Sequence, residues 1–280
     1  MKLISNYLII ILFIFCQSCI KKKTEYQLIW SDEFNQKVES VHTSKWFLET
    51  KAPNNGSWYN DELQHYTDRI ENSYVSEGTL KIIAKKEQYT HSGSTQQYTS
   101  ARLNSKASFT YGKVMVRAKL PRAQGTWPAI WTLGSNYETV GWPACGEIDI
   151  MEQLFEDFEM IQCAVHTPDT HGDNTIVKQV DVSDVSENFH VYGLEWTPDK
   201  LKFYVDDIHY FTYQPDNKTL KNWPYINDQY ILLNIAMGGN LGGKIDPEFT
   251  QDQMEVDYVR VYQKNNSTPF EKKMLVNLHY

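Results

Sequence analysis

The sequence predicts an all-β protein built from two packed antiparallel sheets, and three observations lead to this fold class. Short segments alternate apolar and polar residues, as strands with one buried face do, and Lys113–Leu120 is the clearest of them. Turn residues such as Thr197-Pro198-Asp199-Lys200 separate the segments. No long segment has apolar residues at the 3.6-residue spacing of a helix. This combination favours two layers of strands.

The strand assignments follow the same alternation along the chain. In the segment Lys113–Leu120, Val114, Val116 and Ala118 share one face, while Lys113 and Arg117 lie on the other. The other predicted strands are Thr79–Lys86, Gly146–Gln153, Met160–His166, His190–Trp196, Leu201–Val205, Tyr230–Ala236 and Glu255–Gln263. No repeat or low-complexity linker interrupts them, so residues 26–263 are predicted to form one domain, followed by a tail at 264–280.

Composition excludes several classes of protein. The 280 residues have a mean hydropathy of -0.52, which excludes a polytopic membrane protein. A net charge of -8 argues against nucleic acid as a partner, because non-specific binding needs basic patches. The chain has 8 Trp, 18 Tyr and 12 Phe, which suit a broad packed sheet, a surface that stacks on planar ligands, or both. We expect a monomer.

The N-terminus has the pattern of an export signal. Lys2 precedes an apolar run of ten residues, Tyr7–Cys16, which is too short to span a bilayer but suits a signal peptide at 1–18. Ser18-Cys19 then resembles a bacterial lipobox, so Cys19 is the predicted lipidation site, followed by a linker at 19–25. The expected location is an exported, membrane-anchored lipoprotein, facing the periplasm or the cell surface. The alternative is an ordinary secretory signal or an uncleaved anchor.

Two cysteines, Cys145 and Cys163, remain after the export segment. They could form one disulfide in an oxidising compartment. A hairpin between the strands that contain or adjoin them would not place them opposite each other, which favours two buried free thiols.

An acidic strand is the sharpest chemical feature. Glu147, Asp149 and Glu152 lie within six residues and are interleaved with Ile and Met. In a regular strand Glu147, Asp149 and Met151 share a face, and Glu152 points the other way. A β-bulge near Ile150–Met151 would return Glu152 to the face of the other two acids.

Three carboxylates on one sheet face suit retaining glycoside hydrolysis. That reaction needs two carboxyl groups ~5–5.5 Å apart, one as nucleophile and one as acid and then base. A third acid between them can hydrogen-bond the nucleophile and help to separate the pKa values. The alternative is an edge strand with acids pointing to solvent, which leaves the displaced third acid unexplained.

The acidic strand also carries a family resemblance. Glu147–Glu152 reads Glu-Ile-Asp-Ile-Met-Glu and resembles the active-site signature of glycoside hydrolase family 16, in its bulged, laminarinase-like form. Further segments resemble the family's motifs, in the family's order: Trp30–Asn35, Asn60–Tyr66, Ser100–Lys106, Gly125–Trp131, Leu233–Gly239 and Val256–Tyr262. The resemblance covers roughly residues 26–263.

This resemblance implies a β-jelly roll of two curved antiparallel sheets with a concave substrate cleft. It makes Glu147 the nucleophile, Glu152 the acid/base and Asp149 the assisting acid. The implied activity is endo-hydrolysis of internal β-1,3 bonds in laminarin-like glucans with retention of configuration. The alternatives are mixed-linkage β-glucan or a galactan (agarose, carrageenan or porphyran) as substrate, or carbohydrate binding without hydrolysis.

Candidate substrate-binding residues surround the acids. Trp127, Trp131 and Trp142 flank the acidic strand in sequence and suit stacking on sugar rings, the alternative being core packing. The resemblance adds Asn60, Arg102 and His166. The alternatives are a turn cap for Asn60, a surface ion pair for Arg102 and a structural role for His166. Trp223 is a weaker cleft candidate.

No metal or cofactor is predicted to take part in catalysis. Nothing in the sequence has the spacing of a zinc site or a phosphate-binding loop. The resemblance implies a structural calcium with Glu33, the Gly78 carbonyl and Asp257 as ligands, and oxygen ligands suit that ion. The alternative is that Glu33 and Asp257 make only surface hydrogen bonds.

Overall fold

The computed structural model describes residues 26–37, 39–54, 56–154 and 157–264. The signal peptide, Cys19 and the tail from residue 265 onward lie outside these residues. The described part forms seventeen strands, two short α-helices and one 3₁₀ helix at Gly172–Asn174. They are β1 Tyr26–Asp32, β2 Trp46–Leu48, β3 Gln64–Tyr66, β4 Ser73–Ser76, β5 Thr79–His91, β6 Ser94–Ser100, β7 Arg102–Phe109, β8 Gly112–Lys119, β9 Thr126–Gly134, α1 Tyr137–Val140, β10 Glu147–Gln153, β11 Met160–His166, β12 Ile176–Asp181, β13 His190–Trp196, β14 Leu201–Val205, β15 Ile208–Tyr213, β16 Gln229–Met237, α2 Gly239–Gly242 and β17 Gln251–Lys264.

The strands form two sheets, which confirms the predicted architecture. A seven-stranded sheet has the order β12-β11-β10-β9-β16-β7-β2. A ten-stranded sheet has the order β15-β14-β13-β8-β17-β5-β6-β3, with β1 beside β17 and β4 beside β5. The pairs are antiparallel except β3 with β6, which run parallel. The acidic strand β10 therefore lies inside the smaller sheet, hydrogen-bonded to β9 and β11 on its two sides.

The predicted strands are confirmed with small shifts at their ends. β11, β13 and β14 have the predicted bounds, whereas β5 and β17 extend several residues further. β8 alternates buried and half-buried side chains along its whole length, as its apolar pattern indicates. Among the described residues, no helix is long and apolar enough to cross a membrane.

The core lies between the two sheets. Ile148, Ile150 and Met151 of β10 are fully buried in it, and large side chains from the other sheet, such as Trp196 and Phe203, belong to the same cluster. Trp223 is also part of this core, packed against Tyr213 and Tyr225, so its interpretation as a cleft residue is wrong.

The structure confirms the prediction of two buried free thiols. Cys145 and Cys163 are both free and fully buried. Cys163 lies in the main core, whereas Cys145 belongs to a small apolar cluster with Leu133 and Leu232. Burial raises the pKa of Cys145 to about 11 and that of Cys163 to about 12, so both are unreactive thiols at neutral pH.

Candidate active site

A β-bulge in β10 brings the three acids to one face. Asp149 pairs with Ala164 of β11 and Glu152 pairs with Gln162, so three steps along β10 match two along β11. The consecutive residues Ile150 and Met151 both point into the core, with 1% and 0% exposure. The predicted bulge is therefore present, and it turns Glu152 to the same face as Glu147 and Asp149.

The glycine before the acidic strand is required by its surroundings. Gly146 has a φ of 79°, in the left-handed region that favours glycine. A Cβ at this position would lie 2.9 Å from the ring atoms of Pro224 and Tyr225. The Tyr225 hydroxyl lies 3.1 Å from the Glu147 carbonyl and 2.8 Å from the His166 carbonyl, which ties the ends of β10 and β11 together. This packing fixes where Glu147 enters the site.

Glu147 is held by two groups. The Trp142 indole N–H donates to its Oε2 at 2.9 Å, and Nε2 of His166 lies 3.7 Å from its Oε1. The Trp142 ring is 44% exposed and contacts the rings of His166 and His171. Glu147 itself is half-buried, so its carboxylate faces the open side of the sheet. A carboxylate that is oriented in this way and accessible to ligand can act as a nucleophile.

Glu152 is more deeply enclosed than Glu147. The Trp127 indole N–H donates to its Oε1 at 3.1 Å, and the Gln162 amide donates to its Oε2 at 3.1 Å. Burial raises the pKa of Glu152, although these hydrogen bonds oppose the shift. A carboxyl group with a raised pKa retains its proton closer to neutral pH, as a general acid must.

Asp149 and His166 form a close pair beside Glu147. Nε2 of His166 lies 3.0 Å from Oδ2 of Asp149. Burial, and then the neighbouring charges of Glu147 and Glu152, raise the pKa of Asp149 well above its usual value. Burial lowers the pKa of His166, but the Asp149 contact and the surrounding carboxylates outweigh it and raise the pKa to about 9. A cationic imidazole therefore balances part of the negative charge on this face.

The raised pKa of His166 has a consequence for stability. The folded protein binds this proton more tightly than the unfolded chain, whose imidazole has the ordinary value of 6.5. This stabilisation is complete below pH 6.5 and is lost as pH rises through about 9. We expect the free energy of unfolding to fall in that window, by on the order of 3 kcal/mol at most.

Urea unfolding at several pH values between 6 and 10 measures this loss. The His166→Gln variant has no imidazole to titrate, so its curve should be flatter. Equal slopes for the wild type and the variant would contradict the assignment of the effect to His166.

A second group of predicted residues lies next to the acids. Trp131 on β9 pairs with Asp149, and the Arg102 guanidinium lies 4.7 Å from its ring centre. Arg102 forms an ion pair with Glu49 at 3.1 Å, so the ion-pair interpretation is correct in part, although the partners are largely buried. Asn60 is exposed in a turn beside Glu62, with a φ of 59°.

Trp127 is less accessible than a residue that stacks on sugar rings would need to be. Its ring is 8% exposed, and its N–H group contacts Glu152. Trp131 and Trp142 keep more of their rings accessible, so they remain the candidates for stacking on sugar.

Several polar residues of the site were not predicted. Gln162 donates to the Glu152 carboxylate, and the Tyr225 hydroxyl donates to the Glu147 carbonyl. Asn234 accepts a hydrogen bond from the Trp131 N–H. Gln162 could have been found from the hairpin register, because a bulge at Ile150–Met151 places it opposite Glu152. Glu62 and Tyr66 lie in the Asn60–Tyr66 motif but drew no prediction as individual residues.

The two predicted calcium-binding carboxylates each pair with an arginine in the structure. Glu33 forms a bidentate ion pair with Arg260, at 3.0 and 2.7 Å, and Asp257 pairs with Arg117 at 2.6 Å. A calcium ion at these carboxylates would have to displace both arginines. The ligand set of Glu33, Gly78 and Asp257 stays a prediction.

The fold and the site together define a class. Two packed β-sheets with three clustered carboxylates and tryptophans on an open sheet face are the features of a polysaccharide-hydrolysing β-sandwich. The model of glycosyl hydrolases family 16 matches residues 60–260. The chain belongs to glycosyl hydrolases family 16, and its two sheets form the jelly roll that the motifs predicted.

Relatives along most of the chain agree with this membership. The chain is 38% identical to a β-glucanase of Rhodothermus marinus over 258 residues, which is 86% of each protein. It is 49% identical to a LamA variant from Zobellia galactanivorans solved with laminaritriose and laminaritetraose, with a TM-score of 0.78 and coverage of 84% and 98%. It is 37% identical to the laminarinase catalytic domain of Thermotoga maritima, with a TM-score of 0.79 and coverage of 85% and 98%.

Proposed function

We propose that this chain hydrolyses internal β-1,3 bonds of laminarin-like glucans with retention of configuration. One observation supports the reaction most directly: the bulge of β10 places Glu147, Asp149 and Glu152 together on the face of the smaller sheet that lies opposite Ile148 and the core. The substrate follows from the relatives, which include a β-glucanase and a LamA variant that binds laminari-oligosaccharides.

The first step forms a covalent intermediate. The Glu147 carboxylate attacks the anomeric carbon, and the C–O bond to the leaving sugar breaks. Glu152, as the neutral acid, gives its proton to the departing glycosidic oxygen. The Trp142 N–H and His166 hold the Glu147 carboxylate in place for this attack. Asp149 holds His166 and shares the charge of the site.

The second step returns the enzyme to its starting state. Glu152, now a carboxylate, takes a proton from water, and the resulting hydroxide attacks the anomeric carbon as the bond to Glu147 breaks. Two inversions at the same carbon give net retention. The enclosure of Glu152 by Trp127 and Gln162 suits it to both roles, because burial keeps its pKa raised.

A substrate panel tests the proposed specificity. The purified chain is incubated with laminarin, lichenan, agarose and carrageenan, and new reducing ends are measured. We expect laminarin to give the highest kcat/KM, with oligosaccharides of several lengths as early products. Activity on agarose alone would overturn the β-glucan proposal, and binding of laminarin without hydrolysis would make the chain a carbohydrate-binding protein.

We also propose that Cys19 carries a lipid that anchors the enzyme to a bacterial membrane. The apolar run Tyr7–Cys16 and the Ser18-Cys19 pair support this, and both lie outside the described residues. Mass spectrometry of the mature N-terminus in the producing bacterium should show a lipidated Cys19. Cleavage at another residue, or a Cys19→Ala variant that fractionates with the membrane as before, would contradict the proposal.

A further inference from the structure

A chain of polar side chains connects Glu62 with the indole of Trp131. The Tyr66 hydroxyl donates to Oε2 of Glu62 at 3.1 Å, and Nδ2 of Asn234 donates to the Tyr66 oxygen at 3.0 Å. The Trp131 N–H then donates to Oδ1 of Asn234 at 2.8 Å. We call these four residues the Glu62–Trp131 network. Tyr66 is 1% and Asn234 6% exposed, so water has little access to these bonds.

A half-buried carboxylate at the start of this network loses part of its hydration, a cost that surrounding donors offset. Gln64 gives Glu62 a second hydrogen bond at 2.8 Å, and burial raises the pKa of Glu62 while Arg102 and these bonds oppose the shift. The Gln64 amide oxygen is in turn fixed by the backbone N–H of Met237 at 2.7 Å. The Gln64 amide group therefore has one orientation, with its nitrogen toward Glu62.

Glu62 at one end and the donor-only Trp131 N–H at the other fix the direction of every bond in the network. An ionised carboxylate only accepts hydrogen bonds, so the single Tyr66 hydroxyl proton must point toward it. The Tyr66 oxygen is then an acceptor, which requires the NH₂ group of Asn234 on its side. The Asn234 oxygen consequently faces the other way and is available to the Trp131 N–H. The Trp131 N–H can only donate. A neutral amide in place of Glu62 could donate to Tyr66, and the Asn234 amide would then either lose its bond to the Tyr66 oxygen or turn its own oxygen away from the Trp131 N–H.

We infer that Glu62 is a positioning residue that sets the orientation of the Trp131 indole through Tyr66 and Asn234. Trp131 pairs with Asp149 in the sheet and lies under the Arg102 guanidinium, so its ring angle shapes the open face beside the acids. Glu62 does not touch the reacting atoms in this role. The inference rests on the proposed function, because it assigns the network to glucan binding at that site.

The Glu62→Gln variant keeps the shape of the side chain and removes its charge. We expect it to raise KM for laminarin about tenfold and to change kcat less than about twofold, because a binding contact common to the ground and transition states is weakened. In a Trp131→Phe background, which has no indole N–H, Glu62→Gln should raise KM no further. An unchanged KM in the single variant, or the same rise in both backgrounds, would overturn the inference.

A second measurement does not depend on activity. The indole N–H resonance of Trp131, assigned by its loss in Trp131→Phe, should move upfield in Glu62→Gln as its hydrogen bond weakens. An unmoved resonance would overturn the inference even if KM changed. Absence of wild-type hydrolysis of every glucan, together with a moved resonance, would reject the proposed function and leave the network intact.

Two control variants separate positioning from folding. Glu255→Gln changes a carboxylate on β17 of the ten-stranded sheet that is 16% exposed and paired with Lys119, outside the network. Tyr192→Phe removes a hydroxyl as deeply buried as that of Tyr66. Both should leave KM and the Trp131 resonance unchanged, whatever they do to the thermal midpoint. If KM rose in either control as much as in Glu62→Gln, the effect would be one of general destabilisation and the inference would be overturned.

Discussion

Replacing Glu147 with glutamine is expected to lower kcat on laminarin by roughly 10⁴-fold, as loss of a covalent nucleophile does in other enzymes. The amide cannot form the glycosyl ester, although its oxygen can still accept the hydrogen bond from the Trp142 N–H that now holds the carboxylate. The substrate should still bind, because Trp131, Arg102 and Asn60 are untouched. Reducing-end release and KM, measured separately, give the two effects.

The nucleophile has a chemical signature that a merely structural residue lacks. In Glu147→Ala, azide can occupy the space of the missing carboxylate and attack the anomeric carbon, while Glu152 still protonates the leaving oxygen. One inversion then gives the α-glycosyl azide from a β-linked substrate. Glu159→Gln, an exposed acid in the following turn, is the matched control and should retain full activity. Near-normal hydrolysis by Glu147→Gln would overturn the assignment of the nucleophile.

The sequence allowed prediction of those features of the site that depend on alternation. The pattern of β10 places Ile148 in the core and Glu147 and Asp149 on the opposite face, and only an inserted residue can add Glu152 to them. The structure has that insertion between Asp149 and Glu152. The strand bounds of β11, β13 and β14 followed from the same period-two reasoning.

Features that depend on strand register and on side-chain direction could not be predicted from the alternation of apolar and polar residues. Glu33 pairs with Arg260 because β1 and β17 place Ser31 opposite Arg260, and no local pattern fixes that register. Trp127 is a residue type that suits stacking on sugar rings, yet its side chain is buried and its indole N–H donates to Glu152. Burial of one ring and exposure of another are decided by the packing of whole sheets rather than by neighbours in sequence.

The second large effect is expected for Glu152→Ala, and it should depend on the leaving group. Laminarin needs a proton on its departing oxygen, so loss of the general acid should lower kcat by roughly 10³–10⁴-fold. An aryl laminaribioside with a dinitrophenolate leaving group needs no proton. Its first step should proceed nearly as in the wild type. The glycosyl-enzyme would then accumulate, because no base activates the water, and KM should fall together with kcat.

Azide distinguishes this role from that of Glu147. It needs no general base, so it should attack the accumulated glycosyl-enzyme of Glu152→Ala, restore turnover of the aryl glycoside and give the β-glycosyl azide. Opposite anomers from the two variants require two carboxylates with different tasks on one strand, which is what the different enclosure of Glu147 and Glu152 indicates. If Glu152→Ala lost activity equally on both substrates, Glu152 could not be the proton donor. Gln162 and Trp127 would then be holding a carboxylate whose contribution is to the structure of the bulge.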